Sequence, residues 1–347
     1  MKSFRLSIVF TVLMLAAAAL WGWHKGGQGG ALQAAWIACV LGVLEVSLSF
    51  DNAVVNATVL KRWDAFWKKL FLTIGILVAV FGMRLLFPLL IVAIATNLSL
   101  AEVWTMAATA PAEYARQLSA HHDEVAAFGG AFLLLVFLNF LFDEDKELHW
   151  LGRIEAELGE HGNAALATTL ALGAAFGGMA LAEGGQELPV FAAGVVGVLV
   201  YVAVDWASGL LGGGGKLAVQ GSLGGFLYLE VLDASFSFDG VIGAFAISND
   251  VVIIMLGLAI GAMFVRSLTV YLVEQGTLDE YVFLEHGAHY AIGILALIMF
   301  ISIRHEIPEW ITGLSGVAFI GVSLWSSVRY RARRAHATGA PGGGEAD

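Results

Sequence analysis

Long apolar runs broken by short polar stretches dominate the chain, and within them hydrophobic residues follow one another continuously instead of alternating at period two. Runs of this length predict helices, because a helix satisfies its own backbone hydrogen bonds inside a membrane. They lie near residues 4–22, 31–60, 70–95, 125–142, 164–182, 188–211, 223–248, 250–274, 288–303 and 310–328. The expected fold class is all-α, a polytopic transmembrane helical bundle of about ten spans.

Polar residues inside two of these runs repeat. Glu45-Val-Ser-Leu-Ser-Phe-Asp51 returns as Asp233-Ala-Ser-Phe-Ser-Phe-Asp239. A charged group at the bilayer centre costs roughly 2.5–3.5 kcal/mol even on the lenient insertion scale, so matched intramembrane acids point to a purpose. The correspondence continues: Gly75 stands nine residues before Arg84 as Gly257 stands nine before Arg266, and the run from Gly130 to Trp150 parallels that from Gly293 to Trp310. Five steps separate the second and seventh spans, an odd number, so the acidic helices are expected to run in opposite directions. That is an inverted-topology repeat, whose binding site is expected near the midplane.

The expected organisation is a first transmembrane helix and external loop over 1–30, a first repeat over 31–150, linking helices over 151–222, a second repeat over 223–328 and a basic, then Gly-rich tail over 329–347. Residues 143–163 read as a charged connector, 97–124 as an interfacial or re-entrant piece, and Gly212–Gly215 as a flexible loop. Lys2 and Arg5 before an apolar run also allow a cleavable signal peptide, but Trp21 and Trp23 favour a retained span with interfacial anchors.

Composition agrees with a membrane protein: 59% hydrophobic and 14% charged residues, with mean hydropathy +0.80. The net charge of −11 matters less than where the cations fall. With ten alternating spans, Lys2, Arg5, Lys61, Arg62, Lys68, Lys69, Lys146, Arg153, Lys216, Arg329, Arg331, Arg333 and Arg334 share one side, against Lys25, Arg116 and Arg304 on the other. The positive-inside rule then places both termini in the cytoplasm of a bacterial inner membrane. Cys39, the lone cysteine, excludes an intramolecular disulfide.

Glu45, Asp51, Asp233 and Asp239 could simply pair with Arg84 and Arg266 to hold spans together, but four carboxylates against two intramembrane arginines leave an excess of two negative charges. One divalent cation or two protons neutralises it, the equivalence a metal/proton antiporter needs. Asn52 and the motif serines Ser47, Ser49, Ser235 and Ser237 add oxygen donors, which suit magnesium, calcium or manganese. Glu45 and Asp51 lie about 120° apart on a regular helix, so one tight cluster needs local unwinding between them. Glu230 shares a helical face with Asp233 and reads as a proton-handling or gating group or as a hydrogen-bonded structural one. Asp205 carries the same two readings. His289 sits at a presumed pathway mouth, as do His121 and His122, where solvated loop polarity is the competing reading for the pair.

The stretches Leu44-Glu-Val-Ser-Leu-Ser-Phe-Asp-Asn-Ala-Val54, Phe236-Ser-Phe-Asp-Gly-Val-Ile-Gly-Ala-Phe-Ala246 and Leu284-Glu-His-Gly-Ala-His-Tyr290 resemble the TerC family of integral membrane proteins, named for tellurium resistance, and most of all its branch catalogued as a domain of unknown function. The resemblance implies a LysE-like superfamily member and, from several relatives, manganese export. Carried over by position, Glu45, Asp51, Asp233 and Asp239 line the ion site and Asn52 joins them. The second motif reads Asp239-Gly240 where many relatives have Asp-Ser, which removes one hydroxyl.

The reading is a non-enzymatic carrier exporting a divalent cation, manganese(II) foremost, by proton antiport: no zinc-protease, rhomboid-like, aspartyl-protease or phosphate-loop motif is present. Its partners are the lipid bilayer, divalent cations and protons, with no nucleic acid and no permanently bound cofactor. A membrane scaffold or stress sensor of a tellurium or metal-resistance system is the alternative. An oxyanion exporter is disfavoured because intramembrane acids outnumber arginines.

Overall fold

The computed structural model describes residues 4–75, 77–144, 146–211, 221–248, 250–275, 280–305 and 307–337. All the described regular structure is helical, and helix covers each of the expected apolar runs. Among the described residues, seven helices are long and apolar enough to cross a membrane. The Gly212–Gly215 loop and the Gly-rich end of the tail lie outside the described residues.

Helix α1 (Arg5–Leu48) contains non-helical backbone at Gly26 and Gly27, with φ 61° at Gly27. Gly22 and Gly30 approach so closely that a Cβ on either would overlap the other's carbonyl oxygen. Eight residues of unbroken helix would hold them about 12 Å apart, so the chain reverses at this turn and α1 comprises two antiparallel arms. After Ser49 the second arm continues as α2 (Phe50–Lys61). The next run is irregular: α3 (Ala65–Leu70), π-helical stretches at Phe71–Gly75 and Val78–Leu86, then α4 (Phe87–Thr96).

Local caps mark the boundaries. Asn97 ends α4 in the left-handed conformation at φ 54°, and Ser99 with Glu102 forms a capping box on α5 (Leu100–Thr109). Pro111 opens α6 (Pro111–Ser119) where its missing N–H costs nothing. There follow α7 (His122–Leu141), α8 (Arg153–His161), α9 (Ala164–Leu181) capped by Asn163, and α10 (Glu187–Leu211). Ser222 caps α11 (Leu223–Ile247), Asp250 caps α12 (Val251–Glu274), and α13 (Leu284–Ser302) and α14 (Glu309–Ala337) complete the bundle.

The centre of the bundle is α7 against α13, with α9 and α10 packed on α7 and α14 on α13. Its glycines admit aromatic neighbours: a Cβ at Gly130 would stand 3.2 Å from the Phe300 ring, and one at Gly293 would stand 2.7 Å from Phe137. Outward faces carry Leu20, Trp36, Phe176, Leu199 and Trp325, an apolar shell suited to lipid.

Two contacts fix the relative direction of the acidic helices. Lys25, at the turn that starts the second arm of α1, bonds Asp250 just beyond the end of α11, at 2.8 Å. Gly221, just before α11, lies against Trp67, which follows α2. The second arm of α1 therefore begins where α11 ends, and the two run in opposite directions.

Candidate functional site

Asp233 lies near the middle of α11, Glu45 lies in the last turn of α1, about halfway along the arm that continues through α2, and both are buried. Glu45 is brought inward by close packing of α1 on α12. Gly257 and Gly261, one turn apart on α12, offer no side chain: a Cβ at Gly257 would stand 2.6 Å from Leu41 Cβ, and one at Gly261 would overlap the Glu45 stem. Small residues at this spacing let helix backbones approach in a membrane.

Arg84, from the second π-helical stretch, is 5% exposed and reaches between the acids. Its Nη2 donates to Glu45 Oε1, and its Nη1 lies 3.8 Å from Asp233 Oδ2. Ser49 Oγ donates to the same Glu45 oxygen at 2.8 Å. Gly240 of α11 borders the other oxygen, since a Cβ there would stand 3.1 Å from Glu45 Oε2. Thus a residue next to the second motif lies beside the first motif's acid. Glu230, one turn before Asp233, is 5% exposed, and neither of its oxygens has a hydrogen-bond partner among the described residues. Asn52 is buried on α2 just past the break at Ser49.

The other expected site residues divide. Asp51, Ser237 and Asp239 are helical in backbone, but their side chains lie outside the described residues. Ser47 is exposed and bonds the Val43 carbonyl, so it turns away from the cluster, two residues and about 200° of helix from Glu45. Ser235 is buried but donates to Val231 O of its own helix. Arg266 is half-buried on α12. Asp205 is exposed on α10. The unwinding expected within the motifs is confined to Ser49 (φ −104°, ψ 19°) in the first, while α11 is continuous through the second.

His289 belongs to a different cluster. Its ring stacks on Phe140 at 3.9 Å, and Nδ1 lies 2.8 Å from Glu285 O. Nearby, Lys146 bonds fully buried Glu155 at 2.7 Å, and His286 Nε2 lies 3.4 Å from the same oxygen. This network pins the connector and α8 to the start of α13. Burial acts to raise the Glu155 carboxyl, but bonds from His286, Lys146 and the Leu151 N–H prevail and hold it at about 2. Sequence reading treated Glu155 as connector charge and missed this role. At the opposite connector, His121 Nδ1 lies 3.1 Å from Glu124.

If all ionised, Glu45, Glu230 and Asp233 exceed Arg84 by two negative charges. Among the described residues, no three His, Cys, Asp or Glu side chains converge closely enough to hold a metal ion. Arg84 instead stands between two of the carboxyls. The arrangement has an internal cation and spare acid capacity.

No curated protein and no solved structure matches the chain. Residues 50–334 match the family model described as "Protein of unknown function (DUF475)", a stretch that contains Arg84, Glu230 and Asp233 and begins just after Glu45, and the chain belongs to that family.

Proposed function

We propose that the chain is an integral membrane carrier that exports a divalent cation, manganese(II) foremost, in exchange for protons, as the TerC resemblance implies. The observation that carries this reading is the buried set of Glu45, Glu230 and Asp233 around Arg84 at mid-length of opposed helices. Acids are kept at membrane depth chiefly where ions or protons pass. In this reading Arg84 holds the place of the cargo between Glu45 and Asp233, and the cation loads as the guanidinium withdraws. Asp51 and Asp239, with Asn52 and Ser49, extend the oxygen donors, and Arg266 sets local charge in the second half.

The reading includes about ten spans in two inverted repeats. Support comes from contacts that map onto one another when the halves are exchanged. Gly130 meets Phe300 as Gly293 meets Phe137, and both displacements are 163 residues. Gly75 faces Glu230 as Gly257 faces Gly42, the counterpart of Glu230. Likewise, α2 packs on α13 as α11 packs on α7. Termini in the cytoplasm of a bacterial inner membrane follow from the distribution of cations.

The test is uptake of manganese by liposomes containing the purified protein and an entrapped indicator. Wild type should carry the ion, whereas Asp233→Asn, Asp51→Asn and Asp239→Asn should abolish flux without impairing membrane insertion. A second reading, a non-transporting scaffold, is favoured by the bridging of Glu45 and Asp233 through Arg84, which also holds helices together. It expects no flux with any ion, including tellurite.

A further inference from the structure

Glu230 differs from the other buried acids in having a niche of its own. A Cβ at residue 75 would stand 2.8 Å from Glu230 Oε1, so glycine leaves room for the carboxyl where it lies and a side chain there would displace it. Gly75 closes the π-helical stretch Phe71–Gly75, a rare backbone form frequent at functional sites. The matching place in the other half holds no carboxyl: Gly42 stands there, and a Cβ on it would lie 2.9 Å from the Ile260 side chain and 3.3 Å from Gly257 O. Packing of the bundle therefore does not require a carboxyl at this position.

Among the described residues, no neighbouring cation bonds it. Arg84 is directed to Glu45 and Asp233. Arg266 is half-buried on α12, Asp205 is exposed on α10, and Glu113 and Arg116 of α6 bond each other. On its own helix, Asp233 acts on Glu230 with the same sign. A buried carboxylate without donors is costly, whereas its neutral acid form is tolerated.

We propose that Glu230, seated against Gly75, carries the coupling proton, while Glu45 and Asp233 bind the cargo cation. The proposal rests on the carrier reading above. A proton added to one Glu230 oxygen forms the neutral acid; its release to the opposite side restores one negative charge as the cation loads, and no other bond changes. Proton and cation thereby compete through charge at adjacent groups, without sharing one oxygen.

The experiment uses the full chain in liposomes with two readouts, manganese uptake driven by a pH gradient and exchange of radiolabelled for unlabelled manganese at fixed pH. Glu230→Gln, which preserves shape, should lose driven uptake by about tenfold or more. Its exchange should persist and lose its pH dependence. Glu230→Asp should regain part of the driven uptake, because it restores the titrating group. Loss of exchange together with driven uptake in Glu230→Gln protein that elutes as wild type would make Glu230 a cargo ligand and overturn the proposal, as would intact driven uptake. Absence of both activities in wild type would instead overturn the carrier reading, and the proton assignment with it.

Discussion

Arg84 serves two acids at once, and the consequence of removing it follows from burial. Both side chains of the Arg84–Glu45 pair are 2% exposed, so neither charge is relieved by water. Breaking a buried pair by deleting one partner costs about 3–5 kcal/mol. Arg84→Met should therefore lower the thermal unfolding midpoint in detergent well below wild type, and Glu45→Gln added to it should restore part of the loss. Equal midpoints for single and double variants would deny the coupling. Outside the membrane, burial acts to raise the Asp250 carboxyl, but Lys25 and the Trp21 indole N–H bond it and hold it below the usual carboxylate range. Its stabilising contribution is complete above the unfolded value of about 4 and is lost as pH falls through the lower folded value. Asp250→Asn should flatten that acid limb of the stability profile, read by thermal unfolding across pH. Residue identity alone made the acids and Arg84 legible, because charge in an apolar run is conspicuous. It did not separate Ser49 from Ser47. Helical period does: Ser49 returns to the Glu45 face after one turn, and Ser47 lies opposite.

At the scale of elements, the approach of α1 to α12 sets the depth and direction of Glu45. Gly257 packs on Leu41 and Ala38, and Gly261 on Glu45, so bulk at either position separates the helices. Gly257→Val should cost about 1–3 kcal/mol as an overpacked contact, visible as a lower unfolding midpoint and weaker cargo binding. Gly321→Ala, with nothing within 4 Å of its Cβ, should match wild type in the same assay. Helix positions were legible because long apolar runs leave the backbone few other ways to satisfy its hydrogen bonds. The spacing of Gly257 and Gly261 went unread, and its partner helix is not in the sequence, since a small residue records closeness without naming the neighbour. Nor does the sequence announce the π-helical stretches flanking Gly75. Both stretches pack against α11, and the second also against α12, neighbours that the local sequence does not name. The latch of Lys146 and His286 on Glu155 was hidden for a similar reason: two charges of a polar connector, Lys146 and Glu155, read as solvated until α13 brings His286 beside them.

For the molecule as a whole, opposed acidic helices impose a sidedness that can be measured without any transport assay. Lys25 lies beside Asp250, and Trp67 beside Gly221, so the turn within α1 and the α11–α12 junction share one end of the bundle while α3 occupies the other. In a Cys39→Ser background, Gly29→Cys and Ser248→Cys should react with a membrane-impermeant maleimide from the same side of intact cells. Lys69→Cys, on the exposed face of α3, should react only after permeabilisation. Gly29 has open space around its Cβ, so the probe there reports sidedness without disturbing the fold. The excess of cations on the Lys69 side predicts which end faces the cytoplasm, because lysine and arginine are retained there during insertion. Labelling of Gly29→Cys and Ser248→Cys from different sides would mean that the acidic helices do not span as an opposed pair. Without that opposition, Arg84 has no mid-membrane site to occupy, and the proposed exchange of cation for proton loses its location.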